Sequence, residues 1–138
     1  MHNVISADGT PIAYDRVGEG PALIYILGAT ATRGLAAQQG DTEGATPFTT
    51  YIYDRRGRGD SGDSADTSTN AVAREIEDLE AMIDAAGGSA FVFGHSSGAV
   101  LALRAAGQLG AKIKKVALYE PPFIIDESRP PIPADYVA

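Results

Sequence analysis

From residue 22 onward, short apolar runs alternate with stretches of helical character, and this alternation limits the fold more than any other feature of the chain. Residues 22–27 read ALIYIL, a nearly continuous apolar run. A strand with one wet face alternates apolar and polar side chains. A run without alternation fits a parallel sheet covered by helices on both faces. Residues 48–53 (FTTYIY), 90–93 (AFVF) and 113–119 (IKKVALY) read as further strands from their β-branched and aromatic content. Ahead of them, Val4 and Ile5, the turn dipeptide Asp8-Gly9 and residues 11–17 form a β-hairpin.

The clearest helix runs over residues 69–86. Val72, Ile76, Leu79 and Ile83 recur at steps that place them on one face. Ser68 or Thr69 is suited to cap its start, and Gly87 stands where a terminating glycine belongs. Glu75, Glu77, Asp78 and Glu80 fall mostly on the other faces and are expected to form a solvated surface. An Ala/Leu-rich helix follows over 97–108, and a short one is expected near 35–39 within the glycine-rich stretch 28–47. Strands alternating with helices imply βαβ units and a mainly parallel sheet. Such sheets bind ligands at the carboxyl ends of their strands, which points to the turns after Leu27, Tyr53, Phe93 and Tyr119.

Composition narrows the partners. The 138 residues hold 18 acidic and 11 basic side chains, a net charge of −7, which argues against a nucleic-acid or membrane surface as partner. Cysteine is absent, so thiol catalysis, disulfides and thiolate metal sites are excluded. No apolar run approaches the roughly 20 residues of a membrane span. Met1-His2-Asn3-Val4 lacks the basic and apolar regions of a signal peptide, so a cytoplasmic location is expected. Gly18-x-Gly20 lacks the rest of a dinucleotide fingerprint and there is no phosphate-binding P-loop, so no cofactor is expected, and no metal.

Chemistry concentrates at Gly94-His95-Ser96-Ser97-Gly98, a G-x-S-x-G sequence. Five residues alone are a weak signal, but a strand precedes these and a helix follows. The physical demand is a sharp strand-to-helix turn that exposes the Ser96 hydroxyl at the top of the sheet. Glycines two positions away on either side let strand and helix approach. The helix N-terminus beneath Ser96 favours developing negative charge.

Here the chain resembles the α/β-hydrolase family, over roughly residues 4–125. Three features carry the resemblance: the GHSSG turn; Asp54-Arg55-Arg56-Gly57-Arg58-Gly59-Asp60-Ser61, which is similar to the D-x-R-G-x-G-x-S turn after that family's fourth strand; and Leu27-Gly28-Ala29 after the third strand. The resemblance implies an α/β fold: a mostly parallel sheet with flanking helices, stopping after about the sixth strand. Residues 1–120 would be the N-terminal part of the core, and 121–138, with five prolines, a loop leading toward an absent lid or C-terminal half. It also implies that Ser96 is a nucleophile, that the amides of Ala29 and Ser97 form the oxyanion hole, and that an acyl-enzyme forms on an ester, lactone or similar acyl substrate. The closest branch is the compact esterase, lactonase and haloperoxidase-like one. Gly94, Gly98, Asp54, Arg56, Gly57, Gly59 and Ser61 would be structural. Arg58-Gly59-Asp60 matches an adhesion tripeptide but falls inside the fourth-strand turn. Arg55, Arg56 and Arg58 are expected to be solvated or salt-bridged there.

The departure is histidine. The chain holds two, His2 and His95, and none follows Ser96, whereas the family orders its triad Ser, acid, His. His95 adjoins the nucleophile across a sharp turn and His2 lies on the first strand, so a base from outside the chain is expected. Some family branches place the acid where Glu120 stands. Strand 113–119 would be an open edge, covered by another copy or by a missing C-terminal half. The alternatives are a non-catalytic scaffold or binding module, or an inactive fragment.

Overall fold

A computed structural model of the chain describes residues 1–39, 47–63, 71–123 and 125–128. Six strands form one sheet: β1 (His2–Ile5), β2 (Pro11–Val17), β3 (Ala22–Ile26), β4 (Thr49–Tyr53), β5 (Ala90–His95) and β6 (Ile113–Tyr119). Their spatial order is β1-β2-β4-β3-β5-β6. The β1–β2 and β2–β4 pairs are antiparallel; β4, β3, β5 and β6 run parallel. This is the mostly parallel α/β architecture that the alternation demands, led in by the expected hairpin.

Helix α2 (Ala71–Ala85) and helix α3 (Ser97–Leu109) cover one face. Ile24, Ile26, Leu79, Met82, Ile83, Val92 and Leu101 are buried between them and the sheet. The α2 stripe is as the periodicity requires, with Ile76, Leu79 and Ile83 inside. Gly87 and Gly88 end α2 at positive φ, and their amides donate back to Asp84 O (3.2 Å) and Ile83 O (2.9 Å). That pair of bonds satisfies carbonyls the helix leaves open. The expected caps, Ser68 and Thr69, lie outside the described residues. The short helix α1 (Arg33–Gln38) starts two residues earlier than expected because Thr32 caps it, its hydroxyl accepting from Leu35 N at 3.3 Å. On the α1 side, Leu27, Ala36 and Ile52 form a smaller cluster.

One expectation fails. Asp78 is wholly buried and the Glu75 side chain is only 13% exposed, so the acidic face of α2 is not all solvated. Both carboxylates turn inward because arginines from the turn after β4 reach them, and a buried carboxylate persists only when paired and hydrogen-bonded. Strand β6 lies at the sheet edge. No helix among the described residues is long and apolar enough to cross a membrane.

Candidate active site

The parallel strands deliver their carboxyl ends to one rim, where the Ser96 turn lies between β5 and α3. Ser96 has φ 54° and ψ −120°. Those are the angles of the first central position of a type II′ turn, which normally takes glycine. Ser96 and Glu120 are the two non-glycine residues at positive φ among the described residues. They sit side by side, since His95 pairs with Tyr119 and Ser96 N donates to Tyr119 O at 2.9 Å. Such a backbone costs about 1–3 kcal/mol per residue and persists only where the surroundings hold it. The Ser96 side chain makes no capping bond to α3.

The flanking glycines are required by contact. A Cβ on Gly94 would stand 2.7 Å from Ala99 Cα, and one on Gly98 would stand 2.7 Å from Leu27 O. Real Cβ atoms do not approach so closely, so strand and helix could not meet with alanine at either place. Gly28 faces the same turn: its missing Cβ lies 3.6 Å from Ser96 Cβ. Ala29 is the next residue along, and Ser97 is the first residue of α3.

The turn after β4 is built around Asp54, which is 1% exposed. Its Oδ1 accepts from Arg33 N (2.7 Å), and its Oδ2 from Arg33 Nε (3.1 Å) and Asp60 N (2.9 Å). Gly59, at φ 52°, faces this carboxylate, which a side chain would overlap. Ser61 Oγ donates to Asp54 O (2.6 Å) and accepts from Ala13 N (2.9 Å), tying the turn to β2. Gly57 adopts φ 72°. The motif is thus a folding device beside the site.

The arginines are bound rather than solvated. Arg56 reaches Asp78 (2.6 Å) and Asp8 (2.9 Å). The Asp78 bonds raise the Arg56 pKa, and the Arg56 bond holds the Asp8 carboxyl well below the usual carboxylate range. Arg55 grips Glu75 through Nε (2.7 Å) and Nη2 (2.8 Å). Its Nη1 donates to Ser97 Oγ (2.7 Å) and Leu27 O (3.3 Å). Arg33, not singled out by the sequence, also bonds Asp15 (2.6 Å) and Asp60 (2.8 Å). Its place within an aperiodic glycine-rich stretch hid it; the one sequence signal was an arginine four residues past Ala29 in a largely acidic chain.

The two histidines are not brought to Ser96 as partners. His2 stacks on Tyr14 at 5.3 Å on β1, at the opposite edge of the sheet. Three strands lie between β1 and β5, a separation near 19 Å at about 4.8 Å per strand. His95 packs against the Tyr119 ring at 5.4 Å. Both rings line a hollow of about 320 Å³ with Tyr25, Leu27, Ala36 and Phe93 on the α1 face. Glu120 is exposed.

A sequence model described as the Alpha/beta hydrolase family matches residues 28–138, and the chain belongs to that family. An alpha/beta hydrolase from Sphaerobacter thermophilus superposes with a TM-score of 0.86 at 54% identity, over 99% of this chain and 51% of that one. N-formylmaleamate deformylase of Pseudomonas putida is 36% identical over 124 residues, 86% of this chain and 44% of the relative. A serine-to-alanine variant of the N-formylmaleamic acid deformylase from Pseudomonas putida S16 superposes with a TM-score of 0.76 at 29% identity, covering 96% of this chain and 51% of that one. The chain spans about half the length of these relatives.

Proposed function

We propose that this chain carries the nucleophile and oxyanion donors of a serine hydrolase acting on an ester, lactone or similar acyl compound. The observation that carries the proposal is Ser96 itself. A serine occupies a backbone conformation made for glycine, at a strand-to-helix turn, with its hydroxyl free of capping duty. Ser96 Oγ attacks the acyl carbon while its proton passes to a base. The carbonyl oxygen becomes an oxyanion held by the Ala29 and Ser97 amides. Collapse expels the alcohol or amine, which takes up a proton, and water hydrolyses the acyl-enzyme. The likeness to deformylases brings N-acyl groups such as formyl amides within this substrate class.

The base comes from outside these residues, since neither His2 nor His95 pairs with Ser96. Glu120, beside Ser96 at the rim, is the acid that would orient an incoming imidazole. The open β6 edge is where a C-terminal half or another copy would bring that histidine. The lack of a base in the sequence favours a second reading, a hydrolase-like scaffold without catalysis. Intact-mass analysis after exposure to a p-nitrophenyl ester, with free imidazole supplied as the base, separates the two. A single acyl adduct on the native chain, absent from Ser96→Ala, is expected. No adduct, or one that survives the substitution, favours the scaffold.

A further inference from the structure

The two amides assigned above to the oxyanion hole belong to different elements, one after β3 and one at the start of α3. Their separation must be fixed to a fraction of an ångström for both to meet one oxygen. Gly98 lets these elements approach, because it has no side chain to strike Leu27 O. Close approach alone does not hold them together. The residue that bridges them is Arg55. A single nitrogen, Nη1, donates both to Leu27 O, two residues before Ala29, and to the side chain of Ser97.

We propose that Arg55 is a positioning residue that clasps the two halves of the oxyanion hole. The proposal rests on the reading of Ser96 as nucleophile with Ala29 and Ser97 as donors. Glu75 makes the clasp stiff: it binds Nε and Nη2 together, leaving the guanidinium plane one orientation and Nη1 aimed at the site. The Arg55 side chain is 7% exposed, so water competes little for these bonds. Fork geometry is essential, since a lysine ammonium is a point charge that cannot hold Glu75 in a bidentate pair and span both remaining acceptors. Arg55 itself does not face the reacting carbonyl; it acts through Leu27 and Ser97.

The test pairs amide hydrogen exchange with fluorophosphonate labelling, on the native chain, Arg55→Met and Arg55→Lys. Exchange should quicken together at residues 28–31 and 96–100 in both variants, while β1 and β2 stay as in the native chain. The maximal labelling rate should fall about tenfold to a hundredfold, the cost of a misplaced reacting group. The probe concentration giving half that rate should hardly change. Arg55→Lys keeps a cation beside Glu75, so it reports on the clasp if Arg55→Met fails to fold. Native exchange at both segments in Arg55→Lys would overturn the proposal, as would loosening confined to α2. A native chain that takes no label would count against the Ser96 reading alone, with the exchange pattern still deciding on Arg55.

Discussion

The rim of the sheet has two unlike sides. Over β3, β4 and β5, three arginines and five carboxylates lock the turns: Arg33 with Asp15, Asp54 and Asp60, Arg55 with Glu75, and Arg56 with Asp78. Over β6, Tyr119 is 54% exposed and Glu120 follows it at positive φ in the open. The difference separates the half of the proposed reaction that these residues frame from the half that they do not. The proposed nucleophile and oxyanion donors sit where the backbone is held by buried pairs. Among the described residues, the β6 side has no such frame.

Substitutions should break the two sides unequally. Asp78→Ala removes the fully buried carboxylate from Arg56. Leaving a buried charge wholly unpaired costs about 3–5 kcal/mol, and because Asp8 still pairs with Arg56 the expected loss is about 2–3 kcal/mol. Denaturant unfolding should show that loss, whereas Glu120→Gln should shift the midpoint by less than about 0.5 kcal/mol. A loss under 1 kcal/mol for Asp78→Ala would mean the framework is not held by this pair.

The strain at Ser96 predicts a reversal. At ordinary positions glycine is about 0.5–1 kcal/mol worse than alanine. Gly110, which follows α3, has φ 54° and ψ −122°, nearly the Ser96 angles, and there the residue is glycine. Ser96→Gly should therefore be more stable than Ser96→Ala, by about 1 kcal/mol. Equal or reversed thermal midpoints would contradict a strained turn.

The smallest effect concerns Asp8. Its carboxyl pKa is lowered by the Arg56 hydrogen bond. A group lowered on folding adds stability above its unfolded value near 4, and loses it as pH falls through the folded value. Asp8 lies at the surface, so Asp8→Asn should cost under about 1 kcal/mol at pH 7. The two proteins should converge as pH falls below about 4.

Much of this was legible in the sequence because it depends on local pattern. The apolar run at 22–27, the α2 stripe and the terminating Gly87 each express a period or a backbone preference. The glycines of GHSSG were legible because only glycine permits that approach. Arg33 and the inward turn of Glu75 and Asp78 were not, because nothing local distinguishes a buried charge from a solvated one. The places of Glu75 and Asp78 follow from which arginine the folded β4 turn brings across to α2, and that of Arg33 from the Asp54 carboxylate of the same turn, long-range facts no window of residues holds.

The most direct test of the central claim is the rate at which fluorophosphonate modifies Ser96 with and without free imidazole. If this rim supplies nucleophile and oxyanion donors and lacks only the base, imidazole should accelerate formation of a single adduct on the native chain. Ser96→Ala should take none. An unmodified native chain at every imidazole concentration, or an equal adduct on Ser96→Ala, would contradict the account.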